Sequence, residues 1–116
     1  MIVLCGHGNY GKNILSSTEM ISGEQKNIYT VDFTEEMSVK DIYYSYDAII
    51  KGVDEKVLLL CDIPGGSPAN AALLYKKQHK NVRVFTGLNL AMLLTLALGE
   101  TIDDSVKSAI NSIKEL

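Results

Sequence analysis

Four short apolar runs, each stopped by a loop and each followed by residues on a helical spacing, constrain this chain more than any other feature. The runs are Met1–Cys5, Asn27–Asp32, Lys56–Cys61 and Val82–Thr86. Their lengths and β-branched content predict strands. Between them, Lys12–Ile21 places Ile14, Leu15, Met20 and Ile21 on a helical stripe that ends before Gly23. Ser38 is an expected N-cap for a helix carrying Ile42, Tyr43, Tyr46, Ile49 and Ile50, with the tyrosine hydroxyls at its wet edge. Ser67 reads as the cap of a third helix with Pro68 in its first position, continuing through Ala71, Leu73, Leu74 and Tyr75. A fourth helix is expected from about Asn89 to Leu98. After Gly99 a last one is expected, marked by Ile102, Val106, Ala109, Ile110, Ile113 and Leu116.

This alternation predicts one α/β domain over residues 1–116, doubly wound in three layers, with a four-stranded parallel sheet and helices on both faces. The run Val57-Leu58-Leu59-Leu60-Cys61 is apolar without alternation, as suits an inner strand covered on both sides. A strand order of 2-1-3-4 makes the first and third strands neighbours at a topological switch point, where α/β sheets bind ligands beyond the carboxyl ends of their strands. The residues just past those two strands are His7 and Asp62.

Composition narrows the chemistry. A net charge of -3 disfavours non-specific nucleic-acid binding, which needs clustered cations. The one basic cluster, Lys76, Lys77, His79 and Lys80, reads as a solvated helix end. Cys5 and Cys61 lie in apolar runs and read as buried free thiols of a reducing compartment. No signal peptide is visible, and the apolar stretch Leu88–Leu98 is well short of the roughly 20 residues that span a bilayer. A cytoplasmic location without direct membrane insertion is expected.

Two glycine loops flank the predicted crevice. Gly6-His7-Gly8-Asn9-Tyr10-Gly11 formally matches a dinucleotide fingerprint, with Asp32 placed as a ribose-binding acid. It nearly spells a phosphate loop as well, but Asn13 stands where a metal-binding hydroxyl is needed. A nucleotide-binding or sensory module using Gly6–Gly11 is therefore the alternative reading. The second loop, Asp62-Ile63-Pro64-Gly65-Gly66-Ser67-Pro68, offers close backbone approach at Gly65 and Gly66. It adds a hydroxyl on Ser67 and the unpaired N–H groups of a helix start, together an anion cradle. Across from it, Asp62 bonded to one nitrogen of His7 would fix the tautomer and leave the other nitrogen as a nucleophile. A metal site from Cys5, His7, Cys61 and Asp62 is disfavoured, because adjacent strand residues point to opposite faces.

His7-Gly8, the block Ile21-Ser22-Gly23-Glu24-Gln25, the loop from Asp62 through Gly65-Gly66-Ser67-Pro68 to Asn70, and Thr86-Gly87-Leu88-Asn89-Leu90 with Met92-Leu93-Leu94 occur in that order. On these blocks, from Met1 to about Leu98, the chain resembles the IIA domain of the mannose-type bacterial phosphoenolpyruvate-dependent sugar phosphotransferase system (PTS). The resemblance implies a phosphotransferase component whose His7 takes a phosphoryl group from phospho-HPr on Nε2. Asp62 would hold Nδ1, and Ser67 would lie beside the phosphate. It implies onward transfer to a IIB domain, and through it to membrane IIC and IID subunits where sugar selectivity resides. No metal or organic cofactor is implied, and a homodimer is. Three positions depart from the family pattern: Gly6 replaces the usual hydroxyl residue before the histidine, Ala91 stands where proline is common, and the chain stops at Leu116 where relatives often continue into a strand exchanged between subunits.

Overall fold

The third strand dictates the architecture. In a computed structural model that describes all 116 residues, β3 (Val57–Cys61) carries Val57, Leu59, Leu60 and Cys61 with no exposed surface. Such a strand needs cover on both faces and a partner on both edges. It has β1 (Ile2–His7) on one side and β4 (Val82–Phe85) on the other. With β2 (Ile28–Phe33) outside β1, the sheet is fully parallel in the order β2-β1-β3-β4, as expected.

Five helices cover the sheet: α1 (Tyr10–Ser22), α2 (Val39–Ile50), α3 (Ser67–Gln78), α4 (Leu90–Ala97) and α5 (Ile102–Asn111). One face packs Val3, Cys5, Val31, Leu59 and Cys61 against Ile42, Tyr46 and Ile50 of α2 and Ala69, Ala72 and Tyr75 of α3. The other packs Leu4, Ile28 and Leu60 against Met92 and Leu93 of α4 and Ile102 and Ala109 of α5, with Ile14 and Leu15 of α1 alongside. Residues of one strand alternate between these cores, as the two-residue period of a strand requires.

Local chemistry fixes where the helices begin. Ser38 and Asp41 form a capping box: the serine side chain accepts from the Asp41 N–H at 3.2 Å, and the aspartate accepts from the Ser38 N–H at 2.8 Å. Asn89 caps α4 through the Met92 N–H, and Thr101 caps α5 through the Asp104 N–H.

Four expectations need correction. Ser67 is the first residue of α3 rather than its cap; Gly66 occupies the cap position and no side chain caps this end. Pro68 accordingly falls in the second position. Tyr46 is not at a wet edge: it is fully buried, and its hydroxyl donates to the Pro68 carbonyl at 2.9 Å, tying α2 to the start of α3. The inward stripe of α1 runs through Gly11, Ile14, Leu15 and Thr18, which turns Met20 and Ile21 outward to 86% and 62% exposure. Finally, α5 ends at Asn111. The Ser112 hydroxyl bonds back to the Ala109 carbonyl at 2.7 Å, and the chain beyond finds no core, so Ile113 and Leu116 are exposed.

Candidate functional site

β1 and β3 run side by side in register, with Cys5 opposite Cys61. Continuing both strands past that pair brings His7 and Asp62 together at the carboxyl edge of the sheet. Cys61 turns into the core while Asp62, its neighbour, turns toward the crevice. The Asp62 carboxylate accepts three hydrogen bonds. Oδ2 takes the His7 backbone N–H at 2.9 Å and lies 2.7 Å from His7 Nδ1, while Oδ1 takes the Ile63 N–H at 2.9 Å.

These bonds set the electrostatics. Burial opposes the charge on Asp62, yet the hydrogen bonds from the His7 backbone, its ring and the Ile63 backbone together hold the carboxyl below its ordinary range. An ionised Asp62 accepts only, so the proton between the two groups sits on Nδ1. That leaves Nε2 with its lone pair on the open side of a ring whose side chain is 52% exposed, against 10% for Asp62.

Two neighbours flank the imidazole, and a pocket opens beside it. The Phe33 ring meets it edge-on, with centroids 5.3 Å apart and planes at 79°. Gly66 approaches so closely that a Cβ there would lie 3.0 Å from His7 Cε1. Beside His7 opens a pocket of about 490 Å³, walled by Gly8, Phe33, Thr34, Glu35 and Glu36. The Gly65 backbone, with φ of +81°, turns the chain into the start of α3, and its carbonyl accepts from the Asn70 side chain at 3.2 Å. Because no side chain caps α3, the first N–H groups of the helix remain available to an anion next to His7.

The structure thus joins His7, Asp62 and Gly66 directly, with Gly65 just before Gly66 and Ser67 opening α3 just after it. The hydrogen bonds of His7 run to Asp62 and not to Ser67. His79, read as part of a solvated helix end, instead packs back on its own helix: it stacks on Tyr75 at 3.8 Å, with its Nδ1 2.8 Å from the Tyr75 carbonyl.

The Gly6–Gly11 turn has packing reasons of its own. Gly6 lies within β1, and a Cβ there would fall 2.8 Å from the Cβ of Tyr10, which packs over it. Gly11 lets α1 sit against Leu4. Asp32 pairs with Gly6 in strand register, and its Oδ1 is buried without a hydrogen-bond partner. Tyr10 and Ile63 lie within the two glycine loops, whereas Phe33 belongs to the site without any motif to announce it. For Phe33 the available signal was its place at the end of the strand beside β1.

The family model for the PTS system fructose IIA component matches residues 1–114. The chain belongs to the mannose-type EIIA family. Over 118 residues this EIIA chain is 30% identical to the fructose-specific EIIA component of Bacillus subtilis, covering 99% of its own length and 80% of the relative's. It is 32% identical over 106 residues to the mannose-specific EIIAB component of Escherichia coli K12, spanning 33% of that protein. Among solved structures, the mannose/sorbose specific IIA subunit from Enterococcus faecalis superposes with a TM-score of 0.90 at 28% identity, covering 99% of this chain and 92% of that one. An EIIA component from Streptococcus agalactiae gives 0.80 at 32% identity, with coverages of 96% and 89%. As an EIIA component, the chain is a phosphoryl carrier of a sugar phosphotransferase system and works by phosphotransfer through a histidine.

Proposed function

We propose that His7 is the histidine that carries the phosphoryl group, on Nε2, with Asp62 as its fixed partner. The observation that supports this most directly is the 2.7 Å contact between His7 Nδ1 and Asp62 Oδ2, which leaves Nε2 as the free nucleophile.

The step itself asks little covalent chemistry of the protein. The Nε2 lone pair attacks phosphorus of a phosphohistidine on the donor, HPr. The phosphorus–nitrogen bond of the donor breaks, and its electron pair returns to the donor imidazole. His7 keeps its Nδ1 proton, and the ring charge that develops during transfer is balanced by ionised Asp62. The incoming phosphoryl oxygens meet the open start of α3, where Gly65, Gly66 and Ser67 supply backbone N–H groups and a hydroxyl. Transfer to a IIB domain runs the same step in reverse, and no metal or organic cofactor takes part.

By this reading the EIIA domain covers residues 1–116 and acts as a cytoplasmic homodimer that serves IIC and IID subunits through IIB. Its two free thiols fit a reducing compartment, and no helix is long and apolar enough to cross a membrane. The decisive experiment incubates the protein with phosphoenolpyruvate, enzyme I and HPr. Acid-labile phosphate is expected on the parent and absent from His7→Ala. Equal labelling of His7→Ala overturns the assignment.

A further inference from the structure

Asp62 fixes one nitrogen of the imidazole but not the plane of the ring. A hydrogen bond tolerates tens of degrees of misalignment, so the Nδ1 contact alone lets the ring tilt and swings Nε2 through an arc. Phosphoryl transfer between two nitrogens needs the attacking lone pair in line with the breaking bond, and small misplacements are expensive in rate. Something besides Asp62 must therefore hold the plane.

Two contacts do so. On the Cε1 edge, the Gly66 backbone leaves little clearance: a Cβ there would lie 3.0 Å from Cε1 and would press on the ring. Against the ring stands Phe33, at 79° and 5.3 Å between centroids, an edge-to-face geometry that aromatic quadrupoles favour. Phe33 is itself anchored on two sides. Its side chain packs against the core beneath α2 and α3. Its backbone forms an isolated antiparallel bridge to the residue after the histidine: the Gly8 N–H donates to the Phe33 carbonyl at 2.7 Å, and the Phe33 N–H donates to the Gly8 carbonyl at 3.3 Å. An antiparallel bridge at the end of an otherwise parallel pair appears only because the chain reverses at Gly8, where φ is +61°. The fold thus ties the tip of β2 to the nucleophile turn through both backbone and ring.

We infer that Phe33 is a positioning residue for phosphoryl transfer, closing with Gly66 a slot that aims Nε2 of His7 outward. It rests on His7 being the phosphoryl acceptor, and it acts through His7 rather than on the phosphate.

The test compares the parent with Phe33→Ala, Phe33→Leu and Phe33→Tyr in two measurements. The first is the imidazole tautomer and ring order of His7, read by long-range 15N–1H NMR on the unphosphorylated protein. The second is kcat and KM for transfer from phospho-HPr. The parent is expected to show the Nδ1–H form alone. Phe33→Leu, which keeps apolar bulk but loses the ring, is expected to keep the Nδ1–H tautomer that Asp62 fixes, to lose ring order, and to lower kcat about tenfold or more with little change in KM. Phe33→Tyr is expected to restore both. Should Phe33→Ala unfold, Phe33→Leu carries the comparison. A folded Phe33→Leu with parental ring order and kcat overturns the proposal, as does a rise in KM alone, which would make Phe33 a docking contact. The NMR arm needs no phosphorylation, so it judges the slot even if His7 proves not to be the acceptor.

Discussion

Asp62 Oδ2 receives both the backbone N–H of His7, at 2.9 Å, and lies 2.7 Å from its Nδ1, so one oxygen fixes the main chain and the ring of the same residue. Asp62→Asn keeps the size of the side chain but removes its charge. It can no longer balance the ring charge that builds during transfer, so the phosphoryl-transfer rate is expected to fall by about 10²-fold or more while the fold persists. Rapid-quench measurement of transfer from phospho-HPr, with circular dichroism to verify folding, checks it.

The same bonds make a pH prediction. The folded carboxyl titrates below its unfolded value, so Asp62 contributes stability above about pH 4, the unfolded value, and loses it as pH falls through the lower folded value. Urea midpoints of the parent are expected to drop across that acid window. Those of Asp62→Asn are expected to drop less.

Gly6 and Tyr10 exclude one another's variation. A Cβ on Gly6 would lie 2.8 Å from Tyr10 Cβ and 2.9 Å from its ring. Gly6→Thr is expected to destabilise by about 1–3 kcal/mol. Tyr10→Ala removes the ring contacts but keeps the Cβ at 2.8 Å, so it is expected to relieve only part of that loss in the double variant, which equilibrium denaturation of the four-member cycle measures. The tyrosine hydroxyl also donates to the Leu88 carbonyl at 2.6 Å, so the single Tyr10→Ala change should loosen the loop before α4.

Adjacent glycines in the second loop should fail in different ways. Gly65 has φ of +81°, so Gly65→Ala strains the backbone and is expected to lower stability by about 1 kcal/mol or more. Gly66 has φ of -75° and ψ of 162°, which alanine adopts freely, but the added methyl would press on His7. Gly66→Ala is therefore expected to keep most of its stability and lose phosphoryl transfer. Paired denaturation and transfer assays separate the two.

Cys5 and Cys61 sit under the site as a matched pair, and burial pushes their thiols up to about 11 and about 12. Thiol reagents act on the thiolate, so neither should react in the native protein at neutral pH, and both should react at the rate of global unfolding. Labelling with an aromatic disulfide, followed by absorbance with and without urea, tests this.

The fold was legible from the sequence because its signals were redundant: four apolar runs, glycine stops and helix starts all demanded the same alternation. The meeting of His7 and Asp62 was legible too, since strand order alone carries both to one crevice. Helix ends were less so. Nothing local distinguishes Ser67 as a cap from Ser67 as a first helical residue, because glycine serves as well in the cap position. The stripe Ile110, Ile113, Leu116 has helical spacing, but spacing does not say whether a core lies underneath. Phe33 was legible only as an aromatic near a strand end, for a third reason. Its importance comes from a cross-strand contact with His7, and a single chain carries no mark of which aromatic at a strand end will face which neighbour.

His7 and Asp62 are 55 residues apart in the chain, and only the pairing of β1 with β3 brings them together. A nascent or unravelled chain holds the same histidine but has neither its fixed tautomer nor its anion-binding neighbour. If His7 is the acceptor, as proposed, phosphate can be taken up only once β1 and β3 have paired, so labelling would report completed folding as well as activity.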